Sequence, residues 1–227
     1  MENDPKAWIV REGDDRQEAT PYADYPNPDA EPVRLYLLAG GVQAGGLSLE
    51  PASGLGTETL VDNFSFSGAT LARAEWTDHR LLYLTPELTE AVHLSGTPRI
   101  SIRLASNEPA ANLSVWLVSL PWIDGRMSRG GVITRGWADP QNHSSLTESE
   151  PLNPGQFYDL AFELQPDDQV IPEGQRIGLL VFSSAREFTL WPPPGTELTV
   201  DLDGTSIELP VVGGSDVLRE AFGGGND

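Results

Sequence analysis

The stretch from Pro151 to Ser184 constrains the fold more than any other part of the chain, because it contains two strand-like runs of different character. In the first, Phe157–Leu164, apolar and acidic residues alternate, which is typical of a strand with one face in solvent. The second, Arg176–Ser183, is almost continuously apolar, as expected for a strand covered on both faces. Proline, glycine and aspartate residues between the two runs disfavour a helix. We therefore predict that both runs are strands of one sandwich.

Similar short runs recur along the chain and are separated by many of its 23 glycines and 19 prolines. We count roughly ten to twelve strands at a spacing of about 8–15 residues, including one at Phe188–Trp191. This pattern predicts an all-β fold of the jelly-roll β-sandwich type, with short helices near residues 69–74 and 216–222. The pair Asp203-Gly204 lies between two alternating runs and predicts a β-hairpin.

We divide the chain into three parts by composition. Residues 1–31 are polar and proline-rich, and we predict an extended N-terminal segment that packs on the domain. Residues 32–213 carry the strand pattern and form the β-sandwich. Residues 214–227 form a C-terminal tail with one short helix.

The chain is strongly acidic, with 34 acidic and 14 basic residues and a net charge of −20. A surface of this charge repels phosphate groups, so we exclude nucleic acids and anionic membranes as partners. No apolar run approaches the roughly 18 residues of a membrane-spanning helix. Cysteine is absent, which excludes disulfides and cysteine-ligated metals.

None of the strings that commonly mark a catalytic centre occurs in the chain. We find no G-x-S-x-G elbow, no P-loop, no H-E-x-x-H helix and no dinucleotide-binding fingerprint. His79 follows Asp78 and is a weak candidate for a base with its orienting acid. Asp201 and Asp203 are better interpreted as turn residues than as calcium ligands. We predict no catalytic residue, no metal site and no cofactor.

The six tryptophans are the remaining candidates for contact with a ligand or a partner. Trp116 lies in an apolar run and is assigned to the core. Trp122 and Trp191 are next to prolines, so we predict that they lie in loops with exposed rings. Such rings can stack on sugars or pack against another domain. Core packing is the alternative for both.

Several strings taken together resemble one known family. They are GVITRGWADPQN, which ends at Asn142, the later strings PGQFYDLAFEL and PEGQRIGLLVFSS, the string TELTVDLDGTSIELPV, and the early string PVRLYLLAGG. In this order and spacing they are similar to the C-terminal domain of Xaa-Pro dipeptidyl-peptidases and of cocaine-esterase-like acyl hydrolases. The resemblance extends over about Pro5 to Gly213 and includes no catalytic motif.

The resemblance implies a galactose-binding-domain-like jelly roll from a larger serine hydrolase. In that family a separate α/β-hydrolase domain carries a Ser-His-Asp triad, and the full enzymes remove X-Pro dipeptides or cleave esters. No residue here matches a triad member, so this chain alone is expected to be non-catalytic. Because no signal peptide opens the chain, we favour a cytoplasmic parent, and we leave secretion open since the parent's own N-terminus would lie elsewhere.

The family also implies a partner, the α/β-hydrolase domain of the parent. We hypothesise that Arg135, Trp137, Asp139 and Asn142, at the end of a strand, face that domain. An internally bonded turn at Asp139-Pro140 is an equal alternative. A carbohydrate-binding module that uses Trp122 or Trp191, and a self-associating domain that forms homo-oligomers, are the other functions we consider.

Overall fold

A computed structural model describes residues 5–10, 19–122 and 131–224. Two helices are present in these ranges, α1 at Gly68–Arg73 and α2 at Gly214–Ala221. The described strands are β1 Ala7–Ile9, β2 Thr20–Tyr22, β3 Ala30–Leu38, β4 Gly45–Ser48, β5 Thr57–Val61, β6 Leu81–Leu84, β7 Val92–Gly96, β8 Arg99–Ser106, β9 Leu113–Leu120, β10 Val132–Ala138, β11 Phe157–Glu163, β12 Asp167–Ile171, β13 Arg176–Phe182 and β14 Glu197–Val212. The prediction of an all-β fold with short helices is confirmed.

The strands form two layers around one core. One layer has the order β10-β9-β13-β6, and adjacent strands within it are antiparallel. In the other, β14 pairs with β8 along one edge and with β5 and then β3 along the other, while β11 extends the layer beyond β8. Strand β4 pairs with both β3 and β6, which joins the two layers.

The two runs of the Pro151–Ser184 stretch occupy the positions that their patterns predict. Strand β11 buries Tyr158 and Leu160 and exposes Asp159 and Glu163, because alternate side chains point to opposite faces. Strand β13 lies between β9 and β6 and is buried on both faces. Its position at the centre of a layer explains why its sequence is apolar without alternation.

The main core fills the space between the layers with aliphatic side chains. Alternate residues of each strand point inward, among them Leu117 of β9, Leu179 of β13 and Ile102 of β8. Helix α2 closes one end of this core with Leu218 and Ala221. Among the described helices, none has the length and apolar character that crossing a bilayer requires.

The predicted hairpin at Asp203-Gly204 is wrong, because β14 continues through this pair as one strand of 16 residues. Both halves of β14 pair with β8, with a shift of register between Asp201 and Ser206. The Asp201 carboxylate accepts hydrogen bonds from the backbone N–H groups of Asp203 and Gly204, at 3.1 and 3.3 Å. The pair therefore lies in an irregularity that interrupts the pairing with β8 without reversing the strand.

The N-terminal part includes a small sheet of its own, in which β1 pairs with β2. Strand β2 ends at Tyr22, which is buried and lies against His93 and Asp168 of the sandwich. The sandwich strands begin at Ala30 with β3, and helix α2 occupies most of the described tail.

Candidate functional site

The layer β10-β9-β13-β6 is apolar on its outward side as well as on its core side. The residues of β9 and β13 that alternate with the core-facing residues are also apolar, and they form a second buried cluster. We call the outward side of this layer the outer aromatic face. It is formed by Leu82, Trp116, Val118, Leu180 and Phe182, with Arg135 and Trp137 of β10 beside them.

Helix α1 covers part of the outer aromatic face. Ser67 caps the helix by accepting a hydrogen bond from the backbone N–H of Thr70 at 3.2 Å. Leu71 and Ala72 point from the helix into the face. A side chain at Gly68 would meet the Trp116 ring at 2.4 Å, so only glycine allows this close approach.

Beside the helix, loop side chains leave an apolar surface in solvent. We call Phe66, Phe188, Leu190 and Trp191 the apolar rim, and all four are exposed, Leu190 to 89%. The Trp191 ring stacks on Phe64 with centroids 4.4 Å apart and planes at 8°. The ring centroids of Phe188 and Trp137, beside the outer aromatic face, are 5.0 Å apart, so the rim adjoins the face. Contiguous exposed apolar surface commonly marks an interaction site.

Arg135 lies at the junction of the face and the rim. Strand pairing places it opposite Trp116, and its guanidinium carbon lies 4.4 Å from the centroid of that ring. The same carbon is 5.8 Å from the Phe188 ring. Within the described residues, Arg135 makes no side-chain hydrogen bond and no ion pair, and its Nε is buried. The indole N–H groups of Trp116 and Trp137 are also buried without an acceptor in this part of the chain.

Trp137 also lines a cavity of about 390 Å³ at the end of β10. Asp139 and Asn142 line the same cavity, together with residues of the following turn and of β11. The Asp139 carboxylate accepts a hydrogen bond from the Gln141 N–H at 2.9 Å and caps the 3₁₀ turn Pro140–Asn142. Asn142 accepts a hydrogen bond from Ser149. The internally bonded turn considered from the sequence is therefore present, which leaves a contact role for Asp139 as a prediction.

Of the predicted contact residues, Arg135 and Trp137 lie on one face, and Trp137, Asp139 and Asn142 share one cavity. Trp191 is 56% exposed, as predicted for a loop tryptophan. Trp122 is only 6% exposed, so the prediction of an exposed ring is wrong. It belongs to the cluster under α1, where Arg73 covers its ring at 5.5 Å.

The sequence did not identify Phe188 and Leu190 as surface residues, because Phe188–Trp191 was predicted to be a strand. The structure has a turn and loop there, with no strand pairing in the described sheets. The signal for a loop was the proline run from Pro192 to Pro194, which cannot donate ladder hydrogen bonds.

The polar candidates considered from the sequence have local roles. The Nδ1–H of His79 donates a hydrogen bond to the carbonyl oxygen of Val61 at 3.0 Å, and a carboxylate oxygen of Asp78 lies 3.4 Å from the same nitrogen. Asp203 accepts hydrogen bonds from the N–H groups of Gly54 and Leu55. In the parts of the chain that the structure describes, no group of three or more metal-ligating side chains is brought together.

The chain matches, over residues 2–216, the family described as the X-Pro dipeptidyl-peptidase C-terminal non-catalytic domain. It belongs to this family. A relative from Rhodopirellula baltica, named provisionally as an Xaa-Pro dipeptidyl-peptidase, is 61% identical over 95% of the chain and 35% of its own length. This X-Pro dipeptidyl-peptidase C-terminal domain spans about a third of the length of the first curated relatives it matches.

Solved structures confirm the fold of the domain. An aminopeptidase from the marine sediment archaeon Thaumarchaeota archaeon matches with a TM-score of 0.72 and 18% identity, over 92% of this chain and 41% of its own. A CocE/NonD family hydrolase from Staphylococcus aureus matches with a TM-score of 0.64 and 14% identity, over 89% and 40%. The sequence-based assignment to the Xaa-Pro dipeptidyl-peptidase and cocaine-esterase-like family is confirmed.

Proposed function

We propose that this domain docks on the α/β-hydrolase domain of its parent protein through the apolar rim, where the rim adjoins Arg135 and Trp137. The carrying observation is that β9 and β13 are apolar on both sides, while Phe188, Leu190 and Trp191 next to them are in solvent. A protein rarely leaves a continuous apolar surface of this kind uncovered. The curated relatives extend far beyond the matched region, so they contain chain that can cover it.

In this proposal the parent is a serine hydrolase that removes X-Pro dipeptides from peptide N-termini, and the relatives named Xaa-Pro dipeptidyl-peptidase support the dipeptidyl-peptidase activity. The domain contributes no catalytic group and forms part of the wall beside the active site. Trp137, Asp139 and Asn142 are the side chains proposed to contribute to that wall, because they line one open cavity next to the rim. The isolated chain is expected not to hydrolyse Gly-Pro-p-nitroanilide.

Hydrogen exchange tests the docking. The amides of residues 185–191 are measured in the full-length parent and in the 227-residue chain. Phe188 and Thr189 already donate their amides to the Ala185 carbonyl, so we expect some protection in both proteins and much stronger protection in the parent, because docking excludes water from the rim. Equal exchange in both proteins would refute docking through this surface.

A pair of substitutions in the parent gives an independent test. Trp191→Asp places a charge in the proposed contact and is expected to abolish the added protection. Trp8→Asp is the matched control, because Trp8 is an exposed tryptophan of β1 at 63% exposure. The control should leave protection of residues 185–191 unchanged.

Carbohydrate binding is the second candidate function, and it depends on the exposed ring of Trp191. One side of this ring is stacked on Phe64, so a sugar would have the other side. Binding on a glycan array that is lost in Trp191→Ala would favour this function.

A further inference from the structure

We propose that Arg135 is the receptor for a carboxylate side chain of the hydrolase domain, where the outer aromatic face meets the apolar rim. This inference rests on the proposed docking and adds the chemistry of the partner group. It makes Arg135 a residue that fixes the orientation of the two domains, with no direct part in bond cleavage.

The first argument is the state of the guanidinium in the domain alone. A guanidinium has five N–H donors and no acceptor, and it cannot lose its charge near neutral pH. Arg135 uses none of these donors on another described residue.

The second argument is the geometry of the two rings. Aromatic rings commonly stack on the face of a guanidinium, whereas its N–H bonds lie in its plane. Trp116 at 4.4 Å and Phe188 at 5.8 Å can therefore hold the group in place without occupying a donor. A planar, fixed fork of N–H groups matches a carboxylate in two parallel hydrogen bonds.

The third argument is the effect of docking on the charge. When the rim is covered, Arg135 loses the water that now solvates its exposed nitrogens. A buried charge without hydrogen-bond acceptors is strongly unfavourable, so a surface that docks here must supply acceptors, and a carboxylate is the acceptor that matches both the charge and the fork. Other arginines of this acidic chain already have partners of this kind, as Arg103 has in Asp159 and Asp201.

The test compares Arg135→Gln and Arg103→Gln in the full-length parent by hydrogen exchange of residues 185–191. Arg103 is the matched control because it also lies over a ring, that of Phe157 at 5.4 Å, and is an ion-paired arginine of another strand. We expect Arg135→Gln to lower protection about 30-fold or more, since truncation leaves a carboxylate without its partner in the interface. Arg103→Gln should leave protection unchanged, and Arg135→Lys should fall between wild type and Arg135→Gln because it keeps the charge without the fork.

The same variants are measured in the 227-residue chain, because Arg135→Gln also removes the contacts with Trp116 and Phe188. A loss of protection confined to the parent, with unchanged β9 amides as the check of folding, supports the proposal. An equal loss of protection in both proteins means that the substitution acts through local packing. No loss in the parent means that Arg135 binds no carboxylate. Either result overturns the proposal. If the wild-type parent shows no protection of residues 185–191, the docking proposal itself fails.

Discussion

The fully buried side chain of Arg80 donates a hydrogen bond from Nη1 to the carbonyl oxygen of Gly41 at 2.6 Å. Its other hydrogen bonds go to the carbonyls of Val42, Leu71 and Ala74. Arg80 thus ties the turn after β3 to the C-terminal end of α1, the helix that covers part of the outer aromatic face. Burial lowers the pKa of Arg80 to about 10, so the group remains charged at neutral pH.

Replacing this group should therefore destabilise the domain. Arg80→Met removes the guanidinium donor from four carbonyl oxygens, three of which keep a backbone donor, and we expect a loss of about 3 kcal/mol or more in the free energy of unfolding. Urea denaturation followed by tryptophan fluorescence measures the difference. Arg34→Met, at an exposed ion pair with Glu208, should cost less than about 1 kcal/mol. Similar losses for the two variants would contradict the structural role of Arg80.

Gly68 gives a second prediction about the same helix. Gly68→Ala raises helix propensity, yet its methyl group would meet the Trp116 ring at 2.4 Å. We expect the steric clash to outweigh the gain in helix propensity and to lower the free energy of unfolding by about 1–3 kcal/mol in denaturation experiments. Ser215→Ala, at an exposed position of α2, is the control and should change stability by less than about 0.5 kcal/mol. A stabilised Gly68→Ala variant would show that the helix does not press against Trp116.

Asp168 gives a prediction about pH. Burial alone would raise the pKa of its carboxyl group, but hydrogen bonds from His93, Ser95 and Tyr22 outweigh burial and lower it. The folded pKa therefore lies below the unfolded value of about 3.9. This difference stabilises the fold above about pH 4 and is lost as the pH falls through the folded pKa.

We expect Asp168→Asn to lower the free energy of unfolding by about 1–3 kcal/mol at pH 7. The gap between wild type and variant should narrow as the pH is lowered from 5 to 3, in denaturant titrations at fixed ionic strength. Asp159→Asn, at an exposed ion pair with Arg103, is the control. A gap that stays constant down to pH 3 would argue against a lowered pKa of Asp168.

Local sequence patterns predicted the strands. Features that depend on contacts between distant parts of the chain were not predicted. The alternation in β11 and the continuous apolar run of β13 each report how many faces of the strand are covered, so both were predicted correctly. The Asp203-Gly204 pair favours a tight turn locally, yet β14 does not reverse there, because both of its halves pair with β8. Trp122 is buried because α1, distant in sequence, packs over it. No pattern around Trp122 contains that information.

Two exposed leucines allow the last prediction, which concerns self-association of the chain without its parent. Leu190 belongs to the apolar rim at 89% exposure, and Leu146 is 91% exposed at the cavity next to Trp137. If self-association occurs through the apolar rim, the 227-residue chain should associate weakly at high concentration through Leu190. Sedimentation equilibrium should show that Leu190→Ser weakens this association about tenfold, since burying a leucine is worth about 1.5–3 kcal/mol. Leu146→Ser should leave it unchanged. If both substitutions weaken self-association equally, the apolar contact is not specific to the rim. A chain that stays monomeric at every concentration contradicts the homo-oligomer hypothesis. Docking on the parent is tested separately by hydrogen exchange.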